Sequence, residues 1–369
     1  MNLSFYMLLP TMPLYLADVL GIYISKVGIV LSSYSIGLVC VRPFSGFLAD
    51  SFSRKPLYLI AFLIFAAMFV GYYFAVSIGA IMVVRLIQGG FMGMTSVAGN
   101  TIAVDVIPSA RRGEGMGFYG LTINMAMSLA PLIAMYIYDH SGFMAVVTTG
   151  LIMALVGVGS VTLIDAPKRA RVSRPPLSLD RFILVPALPA ALAYVLVAIP
   201  YGTITSFVVL YGNSIGISNP SLFFLFMAIG IGGSRLISGQ LVDRGKIHLV
   251  SMSSQICLCI TYALFASVHS DFIFYTCALL IGVGFGVGVP AFQCLFVNVA
   301  SHDKRGTATS TFLTSFDVGV SLGMLIGGAL SQQFGYSATY FAGSFFCLAS
   351  FVVYVAKVRS SYEKNKLIL

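Results

Sequence analysis

The chain has 369 residues, of which 58% are hydrophobic and only 9% are charged. A soluble domain carries about 25% charged residues, so this composition excludes a soluble globular protein and places the chain in a lipid bilayer. The net charge of +9 fits attraction to anionic membrane lipid, and we expect no nucleic-acid partner.

Apolar runs of about 20 residues, the length that crosses a hydrocarbon core of about 30 Å, predict the transmembrane helices. The twelve predicted spans, in chain order, are 3–17, 27–49, 57–76, 78–103, 114–138, 143–164, 182–211, 221–242, 249–268, 272–297, 306–331 and 337–357. Almost no sequence remains for a domain outside the membrane.

The first span is short. About 15 residues before Ala17 reach only about 22 Å at about 1.5 Å per residue, so we expect the natural start to lie upstream of Met1. The sequence lacks the charged n-region followed by a cleavage site that marks a signal peptide. We therefore expect this span to be retained.

The positions of Lys and Arg predict the orientation, because these residues accumulate in cytoplasmic loops. With the amino terminus inside, 17 of the 21 basic residues fall in inner loops or the carboxyl tail. Only Lys26 falls in an outer loop, and Arg42, Arg85 and Arg235 fall inside spans. We therefore expect an integral protein of the cell (inner) membrane with both termini in the cytoplasm.

The chain repeats itself at an offset of 193 residues, which aligns "RPFSGFLAD" (42–50) with "RLISGQLVD" (235–243). Further pairs at this offset are Gly89 with Gly282, Gly93 with Gly286, Arg112 with Arg305, Gly113 with Gly306, Ser128 with Ser321 and Gly142 with Gly335. An even number of spans per repeat gives both halves the same orientation, and transporters built this way bind substrate between the halves. We predict an amino-terminal six-helix bundle (1–164), a cytoplasmic linker (165–181) and a carboxyl-terminal six-helix bundle with a tail (182–369).

Three motifs resemble those of the major facilitator superfamily. They are "GFLADSFSRK" (46–55), its degenerate second copy "GQLVDRGK" (239–246) and "RLIQGG" (85–90) on the fourth span. The resemblance implies an all-α membrane protein with twelve transmembrane helices in two pseudo-symmetric six-helix bundles. Within the superfamily the chain looks most like the drug and sugar efflux antiporters, although Ala130 replaces the glycine expected before Pro131 on the fifth span.

The same resemblance implies a charge cluster that closes the cytoplasmic side and breaks during transport. The alternative is that these charges only mark helix ends in water. The residues of this predicted gating motif are Gly46, Asp50, Arg54, Asp105, Gly239 and Asp243.

Asp317 lies about 11 residues into its span, which is about 16 Å from the inner surface and close to the midplane. Burial favours the neutral acid and water favours the carboxylate, so a group exposed to alternate sides could carry a proton. We hypothesise that Asp317 is the proton-coupling or cation-binding residue. The alternatives are a neutral structural acid bonded to a neighbouring helix, or a ligand for a sugar hydroxyl or cationic drug.

Other polar residues accompany Asp317 at depth. The repeat makes Asn124 its counterpart and pairs Asn100 with Gln293, so we expect these residues in the central cavity. Arg85 lies about a third of the way in from the outer surface, where a buried charge needs a partner or water. It either tunes proton affinity or contacts an anionic group, or it bonds backbone carbonyls of the first span and holds that helix.

Two packing expectations concern glycines and tyrosines. Gly319, Gly323 and Gly327 recur every fourth residue, so they allow close packing, which we expect against the second span. The chain has no Trp, so an interfacial aromatic belt needs Tyr. The expected members are Tyr72, Tyr73, Tyr136, Tyr138, Tyr211 and Tyr340.

The predicted function is secondary transport by alternating access, with protons and a small-molecule substrate as partners and export of an organic solute as the favoured direction. A proton-coupled or facilitative importer of a sugar or related metabolite is the alternative. We expect no enzyme, because one deep aspartate has no second reactive group beside it in the sequence. No cofactor or metal is expected, since the four His lie in or beside loops without ligand spacing. We expect a monomer.

Overall fold

The computed structural model describes residues 1–21, 24–75, 77–108, 111–163, 182–220, 222–268 and 270–367. Some helical side chains, that of Asn124 among them, lie outside this description. The predicted linker 165–181 also lies outside the described residues. Throughout the described ranges the regular structure is helical, with no strand, and this confirms the all-α fold class.

The helices follow the predicted spans closely. Their bounds are α1 Asn2–Leu14, α2 Ile24–Ser51, α3 Arg54–Phe74, α4 Ile78–Val106, α5 Arg112–Thr162, α6 Leu188–Ser214, α7 Leu222–Asp243, α8 Ile247–Phe265, α9 Asp271–Asn298, α10 Arg305–Val353 and α11 Arg359–Asn365. Single π-helical turns extend α1 over Tyr15–Val19 and α10 over Tyr354–Val358. Nine of the described helical segments are long and apolar enough to cross a membrane.

The two longest helices each contain a sharp break at a glycine. Gly142 in α5 has φ 76° and Gly335 in α10 has φ 82°. Positive φ is accessible to glycine without the steric penalty that a Cβ carries. The breaks divide α5 into 112–141 and 143–162, and α10 into 305–334 and 336–353. These four limbs correspond to the fifth, sixth, eleventh and twelfth predicted spans, and the two breaks occupy equivalent positions in the repeat.

The described chain divides into two compact units. The first contains 1–106 and 122–182, and the second contains 107–121 and 183–369. The start of α5 therefore belongs with the second unit, while the rest of α5 belongs with the first. The predicted ends of the bundles at 164 and 182 border residues outside the described ranges and stay predictions.

Each unit holds one close helix pair that is built in the same way. In the first unit α2 packs on α4, where Gly89 faces the backbone carbonyl of Tyr34. In the second unit α7 packs on α9, where Gly282 faces the carbonyl of Met227. A Cβ atom at either glycine would collide with that carbonyl. Both contacting pairs are related by the 193-residue offset, so the sequence repeat is also a repeat of packing.

The small-residue stripe of α10 packs on α6. Gly319 lies against the carbonyl of Val195, and Gly323 lies against that of Ile199. Gly327 also has its nearest neighbours in α6. The close packing that the glycine spacing predicted is present, but its partner is α6, whereas we expected the second span.

Tyrosines are divided between the interior and the surface. Tyr73 and Tyr136 are exposed, as a belt residue must be. Tyr72, Tyr211 and Tyr340 are buried, which contradicts their assignment to an interfacial belt. Tyr72 ends a row of ring contacts along the buried face of α3. It therefore packs in an aromatic core and not at the membrane interface.

Candidate functional site

Asp317 lies in the long uninterrupted limb of α10. It is twelve residues after Arg305, the first residue of α10, a rise of about 18 Å. Its side chain is partly buried. Among the acidic residues that the structure describes, it alone lies more than one turn from a helix end or kink. The predicted depth along the helix therefore holds.

The other predicted cavity residues occupy equivalent places in the two units. Asn100 is buried on α4 and Gln293 is buried on α9, separated by the repeat offset. Asn124 lies on α5, but its side chain is outside the described part of the structure. Their roles along a substrate path remain predictions.

The charges of the gating motif come together at the ends of three helices. Arg54, the first residue of α3, bridges the carboxylates of Asp50 at the end of α2 and Asp105 at the end of α4. The Arg54–Asp50 distance is 3.5 Å, and Arg54 Nε donates to the carbonyl of Ala49 at 3.1 Å. Arg54 and Asp50 are both buried. A buried pair is strongly destabilised when one partner is removed, so this junction is a firm connection.

The second copy of the motif is built differently. The Asp243 carboxylate at the end of α7 accepts a hydrogen bond from the Glu114 backbone N–H, at 3.0 Å, in the first turn of α5. A carboxylate at a helix amino terminus is favoured by the helix dipole. Gly239 on α7 and Gly46 on α2 are both buried, each one turn before its aspartate. The structure thus places all six predicted motif residues at helix ends, while their gating role remains a prediction.

Arg85 is buried in the first unit and contacts two tyrosines. Its guanidinium carbon lies 5.3 Å from the centroid of the Tyr34 ring on α2, which is a cation–π contact. The Tyr72 hydroxyl on α3 lies close enough to interact with Arg85 electrostatically. Within the described chain, Arg85 makes no bond to a carbonyl of α1, so that alternative for Arg85 is wrong.

A second polar side chain of α4 completes this group. Tyr72 donates to the side-chain oxygen of Gln88 at 2.6 Å. Gln88 follows Arg85 by three residues, which places both on one face of α4. We call Tyr34, Tyr72, Arg85 and Gln88 the tyrosine–arginine cluster. Sequence reasoning found Arg85 but missed the other three; the only available signal was the Arg-x-x-Gln spacing in "RLIQGG".

Comparison with known proteins assigns the fold and the motifs to a family. A sequence profile of the Major Facilitator Superfamily matches residues 1–317 and again 254–367. The chain belongs to the Major Facilitator Superfamily. It is a membrane transporter and not an enzyme.

Two curated bacterial relatives align along most of the chain. Quinolone resistance protein NorA of Staphylococcus aureus (strain MRSA252) is 27% identical over 346 residues, covering 88% of this chain and 85% of that protein. Staphylopine export protein of Staphylococcus aureus (strain Mu50 / ATCC 700699) is 22% identical over 340 residues, covering 87% and 84%.

Solved transporter structures share the fold. The human organic anion transporter MFSD10 (TETRAN) superposes with a TM-score of 0.80 at 16% identity, covering 95% of each chain. The E. coli fucose:proton symporter FucP superposes with a TM-score of 0.77 at 11% identity, covering 98% of this chain and 94% of that chain. At these identities the likeness concerns the fold alone.

Proposed function

We propose that this superfamily member exports a small organic solute from the cytoplasm in exchange for protons, with both termini in the cytoplasm. The observation that carries this direction is the pair of relatives named for quinolone resistance and for staphylopine export, each aligned over more than four fifths of its length. Alternating access to a central site is the mechanism that the twofold repeat supports.

Asp317 is the proton-coupling residue in this proposal. A carboxyl group inside a membrane protein is costly unless it serves a partner, a water-filled cavity or a proton pathway. Its partly buried side chain in mid-helix meets the requirement for a group whose surroundings alternate between wet and dry. The acid would be protonated when it faces the more acidic side and ionised when it faces the cytoplasm.

The charged helix ends supply the gate. Arg54 bridges Asp50 and Asp105, and these contacts join α2, α3 and α4. Asp243 holds the first turn of α5. We propose that these contacts are made in one access state and weakened in the other, and that Asn100, Asn124 and Gln293 border the substrate path.

The test uses inside-out vesicles that contain the protein and norfloxacin, a fluorescent quinolone, as the probe. Respiration acidifies the vesicle interior, and an exporter that exchanges protons accumulates the probe there. Collapse of the pH gradient with nigericin should stop accumulation. An importer would instead show release of preloaded probe under the same gradient.

The coupling role is tested with Asp317→Asn. We expect pH-driven accumulation to fall to the background of empty vesicles, because the amide cannot exchange a proton. Asp271→Asn is the matched control: Asp271 lies at the start of α9 in the same unit and accepts a hydrogen bond from Ser218 at the surface. Undiminished pH-driven accumulation by Asp317→Asn would contradict the coupling role.

A further inference from the structure

The tyrosine–arginine cluster buries more hydrogen-bond donors than its own members satisfy. Tyr34, Tyr72, Arg85 and Gln88 are all at least 95% buried. The Tyr34 hydroxyl, Arg85 Nε and Gln88 Nε2 have no hydrogen-bond partner within the described residues. An unsatisfied buried polar group is expensive, and three in one place need a reason.

The internal hydrogen bonds fix the polarity of this group. The Tyr72 hydroxyl donates its hydrogen to the Gln88 oxygen, and an arginine side chain can only donate. The amide nitrogen of Gln88 is therefore directed away from Tyr72, and its two N–H groups can donate hydrogen bonds to a ligand. Arg85 Nε is likewise donor-only, and the Tyr34 hydroxyl can donate. The cluster thus offers donors and a positive charge, which is the complement of an anion.

No carboxylate neutralises this charge inside the part of the protein that the structure describes. The two ion-pair partners of Arg54, the buried cation at the start of α3, belong to the gating motif, and none of the salt bridges found among the described residues involves Arg85. Arg85 rests instead on the neutral ring of Tyr34. Arginine binds carboxylates well because its planar donors match the two oxygens.

The equivalent place in the second unit shows that the helix packing does not require these polar groups. The residues 193 positions later are all apolar and buried, and they are Met227, Phe265, Ala278 and Ile281. The glycine contacts that join α2 to α4 and α7 to α9 are nevertheless the same. The second unit fills this position with apolar side chains. The first unit has a charge and unsatisfied hydrogen-bond donors at the same position, although the helix packing does not need them.

We propose that Tyr34, Arg85 and Gln88 bind a carboxylate group of the transported solute. This inference rests on the proposed function and deepens it, because it assigns the substrate class: organic anions that carry a carboxylate. Tyr72 is a positioning residue, since its hydroxyl bonds the Gln88 side chain. Phe5 of α1 stacks on the Tyr34 ring with centroids 4.8 Å apart, so the solute enters when α1 moves away from α2.

The experiment measures the apparent unfolding temperature of the purified full-length protein in detergent with sodium benzoate as the probe. Benzamide, its neutral analogue of the same shape, and sodium chloride at equal ionic strength are the comparison ligands. A ligand that binds the folded state raises this temperature with increasing concentration. We expect benzoate to do so, and benzamide and chloride to have a much smaller effect.

Variants assign the effect to the cluster. Loss of one hydrogen bond to a charged group weakens binding about tenfold or more, so Tyr34→Phe should raise the benzoate Kd about tenfold and Arg85→Gln still further. The matched control is Tyr262→Phe, which removes another fully buried hydroxyl without a described partner, on α8 of the second unit. It should bind benzoate like the wild type. If Arg85→Gln does not fold, the benzoate Kd of Tyr34→Phe and of Gln88→Leu tests whether the cluster binds the carboxylate.

Four outcomes would overturn the site. They are no benzoate effect in the wild type, an equal effect of benzamide, an equal effect of chloride, and wild-type benzoate affinity in Tyr34→Phe. The assay needs no proton gradient, so it is independent of the coupling proposal. Loss of pH-driven norfloxacin transport together with normal benzoate binding would contradict the function and leave the site intact.

Discussion

The two units pack equivalent helices in the same way, but they bury different side chains between them. In the first, the space between α2, α3 and α4 holds a charge and three polar side chains, whereas the matching space in the second is entirely apolar. Gly89 and Gly282 bring the helices equally close in both. Small residues at helix contacts therefore determine this architecture, and the polar groups of the first unit are additions that the fold must tolerate.

The helix ends differ in the same sense. The counterparts of Arg54 and Asp105 in the second unit are Ile247 and Asn298. Asn298 uses its amide to donate to Tyr362, and Ile247 is buried. In one motif copy Arg54 thus joins three helices, while in the other the Asp243 carboxylate accepts a hydrogen bond from the first turn of α5. The two repeats therefore share helix contacts more strictly than they share charged residues.

The largest expected effect on stability comes from removing Arg54. Arg54→Gln leaves the buried carboxylate of Asp50 without this cation, which should lower the free energy of unfolding by about 3–5 kcal/mol. The measurement is unfolding in mixed micelles with increasing SDS. Arg111→Gln, which removes an exposed arginine, should have little effect.

A double variant sharpens this result. Arg54→Ile with Asp105→Asn installs the residues of the second unit, and it should be more stable than Arg54→Ile alone because one carboxylate is removed with the cation. Equal instability of the single and double variants would mean that charge pairing does not stabilise this junction.

The repeated glycine contact should be equally sensitive in both units. Gly89→Ala and Gly282→Ala each place a methyl group against a backbone carbonyl, and the strain should cost about 1–3 kcal/mol. Gly79→Ala is the control, because a Cβ there meets no neighbouring atom. The same micelle unfolding assay applies. A large cost at Gly89 with none at Gly282 would refute the equivalence of the two helix pairs.

Tyr72→Phe should have a smaller effect. It removes the bond to Gln88 and installs the residue that the second unit has at this position, Phe265. We expect a loss of about 1 kcal/mol, since one buried hydrogen bond is lost and the Gln88 oxygen is left unpaired. Tyr262→Phe, whose hydroxyl has no described partner, should cost less. An equal cost in both variants would remove the argument for a positioning role.

The smallest effect concerns the carboxyl tail. Hydrogen bonds from Lys366 and His248 hold the pKa of Glu363 on α11 below its ordinary value of 4.5. A lowered folded-state pKa means that the contact stabilises the docked tail above pH 4.5 and loses that effect as pH falls through the folded pKa. The protection of residues 359–365, which is the intrinsic exchange rate at each pH divided by the measured rate, should therefore fall on acidification, and Glu363→Gln should remove this pH dependence. Protection that stays constant or rises at low pH in the wild type would contradict the assignment.

Much of this fold could be predicted from the sequence because its determinants are local. Apolar run length located the helices, and the 193-residue repeat paired Gly142 with Gly335, the two glycines at which the structure has its helix breaks. The resemblance of "GFLADSFSRK" to the superfamily motif implied the cluster of Arg54 with Asp50 and Asp105. The first two signals depend on hydrophobicity and residue identity at fixed positions, which a single sequence displays directly.

The rest depended on how helices rotate against each other. An apolar helix does not reveal whether Tyr34 or Tyr72 faces lipid or protein, so the tyrosine–arginine cluster could not be assembled from the sequence. Glycine spacing likewise indicated that Gly319 lies in a close contact, but it could not identify α6 as the partner. Only the Arg-x-x-Gln spacing of Arg85 and Gln88 carried a readable signal, because both residues share one helix face.

The central claim is that the tyrosine–arginine cluster serves transport and not folding. Its most direct test is the fourfold variant Tyr34→Met, Tyr72→Phe, Arg85→Ala and Gln88→Ile, which copies the second unit into the first. The account predicts an apparent unfolding temperature within about 4 °C of the wild type, with benzoate stabilisation and norfloxacin accumulation both lost. A variant that cannot fold, or one that folds and keeps both activities, would contradict it.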